Sequence, residues 1–312
     1  CSHWLCLGGA DILFSCPEAA LVNEDRLLLP GADGLTLVAS TFGPADGFPV
    51  LLAHGGGQTR RAWRKVGTRL GRAGYRAIAL DLRGHGESPW SPTGAYDVHD
   101  FGRDLVAVAQ SFERNPALIG ASLGGLAGLV AEGTIAPGTF ASLTLVDITP
   151  QMEANGVARV LGFMAQHARE GFESPEHASA SIAAYLPHRE RRQSSSGLKS
   201  YLRKARDGRY YWHWDPAFVE NVTRRRTITD DVSAGSTELV QAASALSLPV
   251  HLVRGGSSDL VSPEGAAEFR KLVPHAKFSD IAGASHMVAG DENDAFGDAV
   301  QRFLVETHPV KL

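Results

Sequence analysis

Hydrophobic positions along the chain gather into short unbroken runs separated by amphipathic stretches. The runs Phe48-Pro49-Val50-Leu51-Leu52-Ala53, Ala77-Ile78-Ala79-Leu80, Ala117-Leu118-Ile119, Ser142-Leu143-Thr144-Leu145-Val146 and Pro249-Val250-His251-Leu252-Val253-Arg254 are largely apolar on alternating positions alike. Strands of a parallel sheet have this character, because helices cover both faces. Residues 61–73, 98–112 and 264–272 carry apolar side chains at helical spacing, and Gly74 stops the first of these helices. A further strand is expected near residues 277–281 and a last helix over residues 291–307. Ahead of all these, Arg26-Leu27-Leu28-Leu29 and Leu35-Thr36-Leu37-Val38-Ala39 flank the turn sequence Pro30-Gly31-Ala32-Asp33-Gly34 and predict a hairpin. Strands alternating with helices in this way predict an α/β fold built from right-handed crossovers.

The rhythm breaks between residues 150 and 247. The patterns there are mostly helical, over residues 157–168, 177–185 and 198–204, with an exposed loop at Gln193-Ser194-Ser195-Ser196-Gly197. Basic residues cluster at Arg189-Glu190-Arg191-Arg192, across residues 199–209 and at Arg224-Arg225-Arg226, and read as solvated helix faces. A helical block between two strands of one sheet predicts a cap over the sheet's C-terminal edge. The expected organisation is therefore a core of residues 24–149 and 248–312, a cap of residues 150–247, and an N-terminal arm of residues 1–23. That arm lacks the basic start and long apolar stretch of a secretory signal and reads as upstream or vector-derived sequence, or a loose arm.

Composition narrows the function classes. At 312 residues the chain can bury a large core, and 44% hydrophobic with 21% charged residues is ordinary for a globular protein. A net charge of −4 gives no reason to expect nucleic acid or an anionic membrane as partner, and no apolar run approaches a membrane span. Cys1, Cys6 and Cys16 all lie in the first sixteen residues, so there is no disulfide framework, which suits the cytoplasm. No Cys/His set has metal-ligand spacing, and the Gly55-Gly56-Gly57 run lacks the lysine of a phosphate loop.

The chemistry centres on Gly120-Ala121-Ser122-Leu123-Gly124, directly after one strand and directly before the helical run Gly125-Leu126-Ala127-Gly128-Leu129. A serine at such a sharp strand-to-helix turn is a candidate nucleophile, and the glycines admit the close approach of the two backbones. A serine hydroxyl needs a base and a carboxylate that orients it. His286, on the loop Ala282-Gly283-Ala284-Ser285-His286 before the last helix, fits the base. Asp259, on Gly255-Gly256-Ser257-Ser258-Asp259, fits the carboxylate, and Asp147, at the end of the preceding strand, competes with it. Two backbone N–H groups must face the developing oxyanion. Leu123 supplies one, and Gly56 the other, with Gly57 as the alternative.

Taken together, His54-Gly55-Gly56-Gly57, the turn from Asp81-Leu82-Arg83-Gly84-His85-Gly86 to Glu87-Ser88, the Ser122 pentapeptide, Asp259 and Gly283-Ala284-Ser285-His286 resemble the α/β-hydrolase-fold superfamily, in its serine esterase, lipase and haloperoxidase-like branch. The resemblance spans residues 24–307. It implies an eight-stranded, mostly parallel sheet with helices on both faces, a helical lid inserted after the sixth strand, hydrolysis through an acyl-enzyme, and no cofactor. Serine rather than aspartate at the apex argues against the epoxide hydrolases and haloalkane dehalogenases of this fold, although Tyr210-Tyr211-Trp212-His213-Trp214-Asp215-Pro216 looks like a segment of epoxide-hydrolase-like members.

The expected function is a serine hydrolase acting on a small-molecule carboxylic ester or related acyl compound. Perhydrolysis, lactone or C–C bond hydrolysis, and acyl transfer use the same triad and stay open, as does a non-catalytic binding protein on the same scaffold. His54 is expected to shape the oxyanion loop, and His85 and Glu87 to stabilise their own turn. His54, Gly57, Trp63, Trp212 and Trp214, with Tyr211, are candidates for the substrate pocket.

Overall fold

A computed structural model describes residues 24–185, 198, 201–221, 232–284 and 294–310. The expected hairpin forms as β1 (Asp25–Pro30) and β2 (Thr36–Phe42), paired antiparallel. The apolar runs then become β3 (Phe48–Ala53), β4 (Tyr75–Leu80), β5 (Ala117–Ala121) and β6 (Ser142–Val146). Helices α1 (Arg64–Arg72), α2 (Val98–Ala109) and α3 (Leu123–Val130) connect them, and α1 is preceded by a 3₁₀ turn over Arg60–Trp63. α2 starts on a capping box: Asp97 accepts from the backbone of the first turn while Asp100 accepts from Asp97 N–H.

After β6 come α4 (Ala154–Ala165), α5 (Pro175–Tyr185), the short strands β7 (Leu202–Lys204) and β8 (Tyr210–Trp212), and α6 (Val232–Ser244). The core resumes with β9 (Val250–Gly255), α7 (Pro263–Leu272), β10 (Lys277–Ile281) and α8 (Asp294–Thr307). One expectation is corrected here. The helix anticipated over residues 198–204 ends instead in β7, which pairs antiparallel with β8, Leu202 opposite Trp212 and Lys204 opposite Tyr210. The apolar and aromatic positions of this segment alternate across a hairpin, and the seven-residue stretch was too short for periodicity to separate the two. The loop at residues 193–197 and the basic clusters at residues 189–192 and 224–226 lie outside the described residues.

The eight-stranded sheet has the order β1-β2-β4-β3-β5-β6-β9-β10, and every pairing from β4 to β10 is parallel. Alternation along each strand divides the core in two. Leu51, Leu118, Leu145 and Leu252 face α2, α3 and α6, while Val50, Leu52, Ile119, Val146 and Val253 face α1 and α8. Each such fully buried aliphatic side chain contributes about 1.5–3 kcal/mol relative to exposure.

The turn between β5 and α3 lies in the middle of the sheet, and its backbones nearly touch. A Cβ on Gly124 would lie 2.4 Å from the carbonyl oxygen of Ala53, and one on Gly120 would lie 2.5 Å from the carbonyl oxygen of Gly124. Both obstacles are backbone, so neither can move aside. Gly124→Ala is accordingly expected to lower the unfolding free energy by about 3 kcal/mol; urea titration checks this, and a loss under about 1 kcal/mol would contradict so close an approach.

Candidate active site

Ser122 occupies the apex of that turn at φ 46° and ψ −114°, a region that costs a non-glycine residue on the order of 1–3 kcal/mol. Neighbouring elements hold it there. Ser122 N–H donates to Val146 O at the end of β6 (3.1 Å), Leu126 N–H donates to Ser122 O (2.9 Å), and Gly124 N–H donates to His54 O (3.1 Å). The loop after β3 abuts the serine, for a Cβ on Gly55 would lie 3.3 Å from Ser122 Cβ. Neither Leu123 N–H nor Gly56 N–H donates a hydrogen bond to any described residue. Gly57 N–H is already committed, to Nε2 of His85 at 3.1 Å.

Three buried imidazoles organise this loop. His54 donates from Nδ1 to Gly55 O (2.8 Å) and accepts at Nε2 from Leu82 N–H (3.1 Å). His85 donates from Nδ1 to Arg83 O (2.9 Å) and accepts Gly57 N–H. His213, between β8 and the stretch ending in Phe218, accepts Gly86 N–H at Nδ1 (2.9 Å) and donates from Nε2 to Gly57 O (3.2 Å). Each ring faces one N–H and one carbonyl, so each is fixed as one neutral tautomer. Burial is the leading cause of their depressed pKa values, about 4 for His54, about 3 for His85 and well below the ordinary value for His213. Arg60 opposes protonation of His54, and His54 that of His85.

Behind the loop, the buried Asp81 carboxylate accepts Arg60 N–H (2.7 Å), Glu87 N–H (2.9 Å) and the Arg60 guanidinium, which also reaches Glu87 Oε1 (2.8 Å). Arg83 is wholly buried and bidentate on Asp104, at 2.6 and 2.7 Å. His85 and Glu87, expected to stabilise only their own turn, thus also tie it to the loop after β3.

The candidate acids differ in setting. Asp147 is wholly buried at φ 52°, with Gly255 N–H donating to Oδ1 (3.0 Å) and Ser258 Oγ to Oδ2 (2.6 Å). Asp259 is about one-third exposed and ion-paired at 2.8 Å to Arg159 of α4. The same loop holds the chain leading to the candidate base, since Ser257 N–H donates to Ala284 O at 2.9 Å. His286 itself lies outside the described residues.

Met164, Trp214 and Phe218 cover the glycine loop. A Cβ on Gly56 would meet Phe218 Cζ at 3.4 Å, and one on Gly57, where φ is 74°, would meet Met164 Cε at 3.2 Å and Trp214 Cζ3 at 3.3 Å. Trp212 stacks on Trp214 with centroids 4.7 Å apart and donates from Nε1 to Gln166 O (3.2 Å). Trp63 is fully buried in the core against α1 and α8, beside Phe296. Tyr211 hydrogen-bonds Asp207. Met164, Phe218 and His213 were missed in the sequence, where only the aromatic stretch of residues 210–216, which contains His213, carried a signal. Among the described residues no group of His, Cys, Asp and Glu could hold a metal ion, and no helix is long and apolar enough to cross a membrane.

Residues 50–299 match the model of the alpha/beta hydrolase family. The chain belongs to that family. An esterase of Mycobacterium tuberculosis, Rv0045c, is 32% identical over 261 residues, covering 82% of each chain, and a 3-hydroxybutyrate-oligomer hydrolase of Cupriavidus necator is 27% identical over 78% of this chain and 84% of that protein. A solved structure of the mycobacterial esterase superposes with a TM-score of 0.71 at 26% identity, covering 92% of this chain and 93% of that one. Relatives named as esterases and hydrolases support hydrolase activity for this member of the family.

The neutral histidines have a consequence for stability. Their folded pKa values lie below the unfolded value near 6.5, so above that pH they are neutral in both states. As pH falls below about 6.5 the unfolded chain takes up protons that the folded site refuses, and each group removes about 1.4 kcal/mol per pH unit until its folded pKa is reached. Unfolding at pH 5 is expected to take up close to one proton at each of His54, His85 and His213, and another at the likewise buried His251. Calorimetry in buffers of different ionisation enthalpy measures this, and uptake below one proton would mean that the three rings are charged in the fold.

Proposed function

We propose that this family member is a serine hydrolase that cleaves a carboxylic ester or related acyl compound through an acyl-enzyme. Ser122 Oγ attacks the carbonyl carbon as His286 takes its proton. The tetrahedral oxyanion is held by Gly56 N–H and Leu123 N–H, each contributing roughly 3–4 kcal/mol to the transition state. Collapse expels the alcohol, which receives the proton from His286. Water, deprotonated by the same imidazole, then attacks the acyl carbonyl and releases the acid and Ser122.

The observation that carries this reading is the strained Ser122 apex, with two neighbouring backbone N–H groups that donate to no described residue. A loop bonded only for structure would have those donors engaged. The commitment of Gly57 N–H to His85 favours Gly56 over Gly57 as the second donor. Residues 150–247 serve as a cap on the core formed by residues 24–149 and 248–312. Met164, Trp214 and Phe218 would then offer an apolar wall to the substrate. Turnover of a p-nitrophenyl ester is expected to be abolished in Ser122→Ala, with loss of labelling by a fluorophosphonate; undiminished activity would exclude the mechanism.

For the acid, Asp259 is the first reading, in the order Ser122, Asp259, His286. A second is supported by burial: Asp147 adjoins the Ser122 turn through Val146, is sealed from water, and is held by Gly255 and Ser258, whereas Asp259 already pairs with Arg159. An orienting carboxylate acts most strongly where it is buried. On this second reading Asp147→Asn is expected to lower kcat by about a thousandfold or more, and Asp259→Asn by less than about tenfold. The opposite ranking in steady-state kinetics would assign the acid to Asp259. Peroxide and alcohol acceptors added to the same assays distinguish perhydrolase and acyltransferase chemistry.

A further inference from the structure

The Gly56 N–H group is aimed by a relay of two peptide units, and the outer end of that relay is a side chain of the inserted segment. A trans peptide plane points its N–H opposite to its carbonyl, so fixing one end aims the other. The plane that carries Gly56 N–H has Gly55 O at its far end, and Gly55 O accepts from His54 Nδ1 (2.8 Å) and from Gln58 N–H (3.1 Å). Gln58 N–H belongs in turn to the plane whose carbonyl is Gly57 O, which accepts from His213 Nε2 (3.2 Å).

His213 is well placed to hold that end. Its ring is 2% exposed and its other nitrogen accepts Gly86 N–H. The residues that follow are pinned to the core: Asp215 N–H donates to Gly84 O (2.9 Å), and Tyr96 Oη donates to Asp215 Oδ2 (2.6 Å). The groups around the ring are His85 at 6.0 Å, Tyr201 at 6.0 Å and Trp214 at 5.2 Å between centroids, with the charge of Arg203 acting on it from β7. None of these competes for Gly57 O. Arg203 makes a separate tie between the insertion and the core, from Nη2 to Gly86 O at 2.6 Å.

We propose that His213 is a positioning residue: by donating to Gly57 O it lets residues of the insertion set the direction of Gly56 N–H. The inference rests on the reading of Gly56 N–H as an oxyanion donor. It separates His213 from a residue that merely fastens the insertion, because loss of the relay weakens binding of the tetrahedral oxyanion while leaving the ground-state substrate alone.

The test compares the unaltered protein with His213→Phe, His213→Gln and Arg203→Ala, each checked for an unchanged circular dichroism spectrum. On a p-nitrophenyl ester, His213→Phe is expected to lose about thirtyfold in kcat with KM changed less than about threefold. Its inhibition constant for a trifluoromethyl ketone, which forms a serine-bound oxyanion, should rise by a similar factor, while that for the matching methyl ketone stays within about twofold. His213→Gln retains an N–H donor near the Nε2 position and should recover most of the loss. Arg203→Ala breaks the other tie without touching the relay and should keep kcat. Equal loss in Arg203→Ala and His213→Phe, a purely KM effect, or an unchanged trifluoromethyl ketone constant overturns the role of His213 while leaving the serine mechanism intact. Absence of Ser122-dependent turnover in the unaltered protein overturns the mechanism and this inference with it.

Discussion

Everything in this molecule converges on a backbone crossing with no room for side chains. Where β5 turns into α3, the chain passes within contact distance of β3, and Gly124 lies against Ala53 O. That proximity lets Gly124 N–H bond His54 O and Ser122 N–H bond Val146 O, so three adjacent strands are knotted at one point. The strain of Ser122 is sustained because these bonds, and the helix it begins, over-determine its conformation. A looser turn would let φ of Ser122 relax to an ordinary value.

Around this crossing the polar groups of the glycine loop cannot rely on water. Their partners are neutral imidazoles, each satisfying one N–H and one carbonyl at once. A cationic side chain could not accept from Leu82, Gly57 or Gly86, and a carboxylate could not donate to the carbonyl that each ring also faces. Burial supports the choice, since it holds all three rings in the uncharged form. The charged groups nearby are instead paired with one another, Arg60 with Asp81 and Glu87, and Arg83 with Asp104, one layer behind the loop. The result is an electrically neutral rim beside the serine, built of oriented dipoles rather than ions.

The inserted segment contributes to this rim as well as covering it. Its aromatic stretch supplies Trp214 and Phe218 against the glycines and His213 to the loop carbonyl. Its first helix bonds Asp259 through Arg159, so the loop after β9 is touched from the core side by Asp147 and from the outside by α4. The segment between β6 and β9 thus meets the rest of the chain both at the glycine loop and at the loop after β9.

The sequence by itself determined the α/β class, the parallel strands, the hairpin at the start and the turn that carries Ser122. Those features depend on local patterns: runs of apolar residues buried on both sides, helical spacing between them, and glycines at a strand-to-helix junction. It also pointed to Gly56 and Leu123, because a donor after the nucleophile and a glycine loop after β3 follow from chain order. Tertiary structure decided the rest. The contrast between buried Asp147 and ion-paired Asp259 depends on what packs above each strand end, which no spacing encodes. β7, whose residues were read as part of a helix, pairs instead with β8, whose aromatic residues pack on Phe172 and on Phe163 of α4. His213 stands 156 residues from Gly57, and only the folding of the insertion onto the core brings its ring to that carbonyl. Local chemistry is written in neighbouring residues; the partners of buried polar groups are fixed by long-range packing.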